Sequence, residues 1–473
     1  MSQSLREIAG KPRRLYIRTF GCQMNEYDSL RVQRLLAPLG YVPVQEISEA
    51  DVVFLNTCAV REKAEQKVFS FIGRLRKLKR DKPHLKIIAG GCVAQQLGTK
   101  LLSRFEHLDV VLGTKGISSI ADVVRRIEAD GKRIACLPES DCPDSGTREV
   151  FLEGALSAPV TIMQGCNNFC SYCIVPYVRG PERSRPAAEI LGEISALEAT
   201  GVREVLLLGQ NVNSYGRGLS EKTNFVQLIR RIAAETGISR IRFTTSHPKD
   251  LTEDLMRCFS EVDSLCKHLH LPVQSGSDGI LARMNRGYTA SDYLDKIYRL
   301  REICPEIALT SDVIVGFPGE TEADFQNTLN LLEKVRFDNL FSFRYSDRPN
   351  AKAVCFPDKI DPETGGKRLM ELQEYQASIT LQKNLMEVGL VREVLIEGPG
   401  KATPGQMTGR TTHNRIVNFD APAWASGKIV RVKVTTAYSH SLGGDIILGP
   451  GGSACPECPE TSQTFQLYPS QAT

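Results

Sequence analysis

Residues 158–173 read APVTIMQGCNNFCSYC, an apolar run that breaks into three cysteines, Cys166, Cys170 and Cys173. The C-x-x-x-C-x-x-C spacing puts three soft thiolate donors on one tight loop, with no fourth cysteine or histidine inside it. Structural zinc takes four protein ligands and pairs them at short spacings. A cubane iron–sulfur cluster can be held by three thiolates, which leaves one iron open to another ligand. Buried apolar cysteines and a zinc loop are the plainer readings of such a triplet. The donor count favours a cluster with an open coordination position.

Outward from this loop, six apolar strands alternate with helical stretches: VTIMQG, EVLLLGQN, IRFTTS, HLHLPVQ, LTSDVIVGF and LFSFRYS. Six such units predict a partial parallel (β/α)6 barrel over 158–380, with chemistry at the carboxyl ends of the strands. The triplet follows the first of them. His268 and His270 alternate along HLHLP and could ligate a metal, although core packing or a hydrogen bond to a neighbour is the commoner use. The glycines of VIVGFPGE, Gly316 and Gly319, fit neither a Walker loop nor a dinucleotide fingerprint.

Upstream, residues 13–128 also alternate strands and amphipathic helices, an α/β pattern that predicts a doubly wound parallel sheet. RLYIRTFGC, ADVVFLNTC and LKIIAGGC each end in a cysteine: Cys22, Cys58 and Cys92, which lie 36 and 34 residues apart. Strand ends line the ligand crevice of such a sheet, so these three thiols are expected to converge as a second triad. Three buried core cysteines are the alternative. Residues 129–157 lose periodicity and read as a linker. From 381 to 449 the period changes to two, as in KIVRVKVTT, which predicts a small antiparallel β-barrel. Residues 450–473 read as a disordered tail carrying the isolated pair Cys455 and Cys458.

The bulk numbers exclude as much as they suggest. At 473 residues the chain is long enough for three domains, and 41% hydrophobic residues suffice for ordinary cores. No apolar run reaches the roughly 20 residues that cross a bilayer. The N-terminus lacks the pattern of a signal or transit peptide. Fourteen cysteines are expected as reduced thiols in a cytoplasmic protein, rather than as a disulfide scaffold. The net charge of +4 is unremarkable, but residues 61–86 hold ten Lys or Arg against three Asp or Glu. There Lys63, Lys67, Arg74 and Lys77 lie on the face opposite the apolar stripe of a helix. Solvated charge is the usual meaning of such a face; phosphate contact is the other. Arg431 and Lys433 on the last barrel offer the same choice.

GCNNFCSYCIVPYVRG resembles the cluster loop of radical SAM enzymes. With the upstream triad and a TRAM-like barrel at the C-terminus, the chain resembles the radical SAM methylthiotransferase family. TFGCQMN, NTCAVRE, GGCVAQ, LLGQNVNSYG, RFTTSHP, HLPVQSGS and DVIVGFPGET are similar to its MiaB-type tRNA branch, over residues 13–449. The sister branches that modify a ribosomal protein or threonylcarbamoyl-adenosine have different residues in the first of these motifs.

The resemblance implies two [4Fe–4S] clusters, one on Cys166, Cys170 and Cys173, the other on Cys22, Cys58 and Cys92. It implies S-adenosyl-L-methionine (SAM) used twice per turnover, as methyl donor and as source of a 5′-deoxyadenosyl radical. The substrate would be the anticodon arm of a tRNA bearing an isopentenylated adenosine, methylthiolated at C2. Electrons would come from a low-potential donor such as flavodoxin or ferredoxin, and the protein is expected to act as a monomer without a membrane. Tyr172 is the residue expected against the SAM adenine. Gln210, Ser246, Gln274 and Glu320, at strand ends, are candidates for other SAM contacts, with capping of the strands as the alternative use. Arg183 and Arg185 could face the SAM carboxylate, an RNA phosphate or water. An iron–sulfur electron carrier, or an RNA-binding protein with structural zinc, are the competing classes.

Overall fold

The computed structural model describes residues 12–59, 62–138, 154–400 and 405–447, with the side chains of 62–64 also left aside. Cys455, Cys458 and the side chain of Lys63 therefore lie outside the described residues. The chain forms two compact units that divide between Gln376 and Ala377.

The first unit begins with β1 (Arg13–Thr19), α1 (Gln23–Leu36), β2 (Tyr41–Pro43), β3 (Val52–Thr57), α2 (Glu62–Asp81), β4 (Lys86–Gly91), α3 (Cys92–Leu97), α4 (Thr99–Arg104), β5 (Val110–Leu112), α5 (Ile120–Asp130) and β6 (Ile134–Cys136). The strands form a parallel sheet in the order β2-β1-β3-β4-β5-β6. β3 is buried at every residue, and separate apolar clusters cover the sheet's two faces, as a doubly wound sheet requires. The order reverses between β1 and β3, the point where open α/β sheets bind their ligands. Strand β6 falls inside the stretch read above as a linker. It is only three residues long, too short to show periodicity, and it pairs in parallel with β5.

The same unit continues with β7 (Ser157–Thr161), β8 (Met163–Gln164), α6 (Val175–Arg179), β9 (Arg183–Ser184), α7 (Ala187–Ala199), β10 (Glu204–Leu208), α8 (Phe225–Glu235), β11 (Arg240–Thr244), α9 (Glu253–Glu261), β12 (His268–His270), α10 (Asp278–Arg283), α11 (Ala290–Ile303), β13 (Ala308–Val315), α12 (Glu322–Val335) and β14 (Asn339–Arg344), and enters α13 (Pro362–Leu385). The six expected barrel strands are present in two parallel blocks, β7-β10-β11 and β12-β13-β14. A single parallel bridge from Ile241 to Leu265 joins the blocks. Helices start where the sequence caps them: Asn224, Thr289 and Thr321 each form a reciprocal capping box with the residue three positions on.

The second unit is a closed barrel of β15 (Val391–Pro399), β16 (Gln406–Thr411), β17 (Ile416–Asp420), β18 (Ile429–Ala437) and β19 (Leu442–Ile446), in the order β15-β16-β17-β19-β18. One pairing departs from the antiparallel expectation: β17 and β19 run parallel. The reason is parity, since five strands in a closed ring cannot alternate direction all the way round. Arg431 and Lys433 point out of the barrel between buried Val430, Val432 and Val434.

Inside the six-stranded core, Arg242 Nε donates to Glu204 Oε2 at 2.8 Å, both side chains 6% exposed. Arg242→Met leaves a buried carboxylate without its partner and should cost about 3–5 kcal/mol in urea unfolding. Adding Glu204→Leu should recover most of that loss; a double variant as unstable as the single one would contradict this account.

Candidate functional site

The upstream triad is assembled by topology. Cys22, Cys58 and Cys92 follow β1, β3 and β4, three adjacent strands. Cys58 and Cys92 are buried at 1% and 2% exposure. The backbone between them has no room to spare. A Cβ on Gly21, whose φ is +119°, would sit 2.2 Å from Cys58 Cβ. One on Gly91, at φ +94°, would meet Asn56 Oδ1 and the Thr57 carbonyl at 2.6 Å. A buried amide network fixes the strand ends. Asn25 Nδ2 donates to Asn56 Oδ1 (2.7 Å), Asn56 Nδ2 donates to the Asn25 carbonyl (2.7 Å), and the Cys22 thiol donates to Asn25 Oδ1 (3.2 Å).

The other triad is local. Cys166, Cys170 and Cys173 sit on the loop after β8, which is clamped by the segment following α10. Ser171 N donates to the Met284 carbonyl (3.0 Å), and Ser171 Oγ to that of Arg283 (2.8 Å). Tyr172 packs beside buried Ile280, Met284, Phe317 and Ala353. Helix α6 begins two residues after Cys173 and carries the chain to the first triad. Val178 and Ile174 pack with Cys92, Ala59 and Val93, and Arg179 Nη2 donates to Asp28 Oδ2 at 2.9 Å, both buried.

Each triad has its own buried guanidinium. Burial alone would lower Arg179, but Asp28 and the Cys92 and Cys22 thiols outweigh it and hold its pKa up. Around it, a hydrogen bond with Cys58, helped by Arg179, draws the Cys22 thiol down to about 6 despite burial. Arg286 is the counterpart, and the sequence reading passed it over. Its Nη1 lies 3.4 Å from Cys170 Sγ and 3.3 Å from Tyr172 Oη, its Nε donates to Tyr288 Oη (2.9 Å), and its Nη2 to the Pro272 carbonyl (2.7 Å). Among the described residues no carboxylate pairs with it. Burial pushes the Cys173 thiol up to about 12 and raises Cys166 as well. Such thiols ionise only against a strong positive charge, which bound iron supplies.

The donor set fits iron–sulfur clusters. Two groups of three soft thiols, each beside a buried cation, match cubane ligation. Among the described residues no three His, Cys, Asp or Glu side chains gather closely enough for a single metal ion. His268 and His270 instead share Thr310 Oγ1, at 3.1 and 3.0 Å.

The SAM candidates part company. Gln210 Oε1 is buried without a hydrogen-bond partner among the described residues, as are Asn213 Nδ2, Thr245 Oγ1 and His247 Nε2, all just beyond β10 and β11. This collection of buried polar atoms suits a polar ligand of many functional groups, as SAM is. Ser246 Oγ donates to Asn213 Oδ1 (2.9 Å). Gln274, buried at φ +75°, extends the β12–β13 pairing through its backbone. Glu320 Oε1 accepts from Gly316 N and from Arg368 Nη1, both at 2.8 Å, and so closes the GFPGE turn. Arg185 is tied to Glu193 (2.7 Å) and the Thr161 carbonyl (2.6 Å), and is committed to the barrel rather than to an RNA phosphate or water. On α2, Lys67 and Lys77 are exposed, and Arg74 lies over the Phe71 ring at 5.3 Å.

Residues 14–113 match the uncharacterized protein family UPF0004, residues 160–332 the radical SAM superfamily, and residues 386–447 the TRAM domain. The tRNA-2-methylthio-N(6)-dimethylallyladenosine synthase of Syntrophobacter fumaroxidans is 61% identical over 459 residues, covering 95% of this chain and 99% of its own. That of Syntrophus aciditrophicus is 50% identical, over 92% of this chain and 94% of its own. The chain belongs to the tRNA-2-methylthio-N(6)-dimethylallyladenosine synthase family. Among solved structures, the radical S-adenosylmethionine methyltransferase TsrM from Kitasatospora setae shares the fold, with a TM-score of 0.53 at 12% identity over 80% of this chain and 78% of that one. Membership makes SAM and [4Fe–4S] clusters the cofactors of this protein.

His247 gives this family member a test that needs no cofactor. Burial, with Arg286, Lys249 and Lys296 nearby, pulls its pKa down to about 2, while an unfolded chain titrates near ~6.5. The folded state therefore binds fewer protons. The ring's contribution to stability is full above about pH 6.5 and is lost as pH falls through that range toward 2. Nitrogen-15 NMR of the ring should show neutral imidazole from pH 8 to 5; an imidazolium signal in that interval would refute the burial argument.

Proposed function

We propose that the protein adds a methylthio group to C2 of N6-isopentenyladenosine at position 37 of tRNA, beside the anticodon. One observation carries the reading: the single segment Cys166–Arg179 holds three thiols at one end and reaches, through Arg179 and Val178, the second thiol triad at the other. The chain thus builds two three-thiolate centres as neighbours, in a protein 61% identical to a synthase of that name. A ring C–H of adenine is beyond side-chain acid–base chemistry. When bound, the clusters and SAM supply removal of that hydrogen and a methylated sulfur to replace it.

What the chain itself does is hold and orient. We assign Cys166, Cys170 and Cys173 to the cluster that engages SAM, and Cys22, Cys58 and Cys92 to the auxiliary cluster. Tyr172, walled in by Met284 and Phe317, faces the adenine of SAM and excludes water from it. Gln210, whose buried Oε1 has no partner among the described residues, offers an acceptor to SAM; Ser246, Gln274 and Glu320 shape the rim through the bonds given above. Lys63, Lys67, Arg74, Lys77, Arg431 and Lys433 contact RNA phosphates, which position the anticodon arm without reading sequence. All six cluster cysteines belong to one chain, which supports action as a monomer. With a tRNA substrate, we infer a cytoplasmic location and a low-potential electron donor such as flavodoxin or ferredoxin. No helix among the described residues is long and apolar enough to cross a membrane.

The deciding experiment is mass spectrometry of nucleosides from isopentenylated tRNA incubated anaerobically with reconstituted protein, SAM and dithionite. The 2-methylthio nucleoside is expected. Its formation only on threonylcarbamoyl-adenosine, or on a ribosomal protein, would move the chain to a sister branch.

Reconstituted protein should bind about eight irons. Substituting Cys166, Cys170 and Cys173 together with Ala should leave about four and end production of 5′-deoxyadenosine. The matching triple substitution of Cys22, Cys58 and Cys92 should leave SAM cleavage in place and abolish sulfur insertion. Sulfur insertion by the second variant would place the donor elsewhere.

A further inference from the structure

We propose that Phe169 and Tyr177 form a platform on which a base of the RNA substrate, next to the modified adenosine, stacks. The proposal rests on the tRNA reading above and extends it to a binding site. Phe169 lies between Cys166 and Cys170 and is 55% exposed; Tyr177, on α6, is 47% exposed. Their rings meet edge to face, with centroids 6.4 Å apart at 79°. Of the aromatic residues on the segment that joins the triads, Tyr172 is packed inward and these two are turned out.

The outward pose is built into the backbone. Phe169 has φ +47°, a left-handed conformation that is uncommon for a bulky side chain and carries strain. Asn285, itself at φ +59°, pins the loop there, with Nδ2 donating to the carbonyls of Asn168 (3.2 Å) and Phe169 (3.1 Å). Tyr177 is fixed from the opposite side. Its helix neighbours Val178 and Arg179 face the first triad, through packing on Cys92 and the bond to Asp28. The outer surface of α6 is left to Tyr177.

A substrate that meets both triads must lie alongside this segment. The target adenosine has to leave its stack to reach a buried centre, which strips its neighbours of a stacking partner. An exposed ring replaces that partner whatever the base, because every base has a π-face. A protein partner fits less well. A stable protein interface needs about 800 Å² on each side, whereas two rings among exposed polar residues such as Asn167 and Arg183 form a small island.

The test uses the reconstituted full chain and an isopentenylated anticodon stem-loop with 2-aminopurine 3′ to the target adenosine. Binding should quench the 2-aminopurine. Phe169→Ala should weaken stem-loop affinity about tenfold and remove the quenching, by the same factor at low and high salt, since stacking is not ionic. Phe169→Tyr and Phe169→Trp should restore both, and Tyr177→Ala should weaken binding with iron content kept. Iron is counted for each variant, so that loss of a cluster is told apart from loss of a ring. If Phe169→Ala keeps its iron and binds within about twofold of the parent, the platform is overturned. If Phe169→Ala loses iron, Tyr177→Ala decides, and its undiminished binding would overturn the proposal equally. Variants that bind and quench normally but take electrons poorly from flavodoxin would assign the rings to a protein partner and overturn it too. Failure of the unsubstituted protein to bind the stem-loop would instead strike the tRNA reading itself.

Discussion

The ion pair of Arg179 and Asp28 is the contact on which the two halves of the site depend. Its side chains are 5% and 2% exposed, so neither charge is served by water, and removal of either would strand the other. Asp28 lies on α1, whose N-cap is Cys22. Arg179 ends the short helix that starts just after Cys173. One bond of 2.9 Å therefore ties the helix that starts at a cysteine of the first triad to the loop that carries the second. The surrounding apolar cluster of Ala59, Cys92, Val93, Ile174 and Val178 keeps the pair dry, and Thr114 Oγ1 donating to the Val178 carbonyl at 2.6 Å fixes the helix along its length. An ion pair of this kind adds little net stability. It sets the registry of one thiol triad against the other.

Much of this was legible in the sequence, for identifiable reasons. The strands before Cys22, Cys58 and Cys92 are six or seven residues long with apolar centres (LYI, VVFL and IIA), and their cysteines fall at a position that topology must bring together. Strands β2, β5 and β6 escaped because three residues show no period; only the neighbours they pair with define them. The parallel pairing in the last barrel followed from ring closure, which no local pattern records. Arg286 was hidden for another reason. It sits in RMNRGYT, far from the cysteine loop in sequence, and only the fold of the 283–288 segment against that loop brings it to Cys170. Arg185, by contrast, stands beside the loop in sequence and proves to be a barrel residue, held by Glu193.

Among the SAM candidates the sequence could place residues at strand ends but not say which carried free polar atoms. Gln210 and Glu320 look alike in that respect. The difference comes from Arg368 on α13, which occupies Glu320, while nothing among the described residues occupies Gln210 Oε1. Partner availability, not position, separates a candidate binding group from one already spent on the turn.

The two guanidiniums differ in a way that bears on the order of events. Arg179 is neutralised by a carboxylate, so the first triad's surroundings are balanced by protein alone. Arg286 is 4% exposed and has only hydroxyls, a carbonyl and a thiol around it. A buried cation so placed is costly unless anions face it. Three thiolates on iron are such anions, whereas three protonated thiols are not. Thiolates on a bound cluster would give Arg286 its counter-charge, and cluster binding there would contribute to the stability of the loop, in the way metal binding couples to folding generally. At the first triad that coupling is weaker, because Asp28 is already in place. A cluster held by Cys166, Cys170 and Cys173 would therefore matter more to the structure of its loop than one held by Cys22, Cys58 and Cys92 would matter to the strand ends.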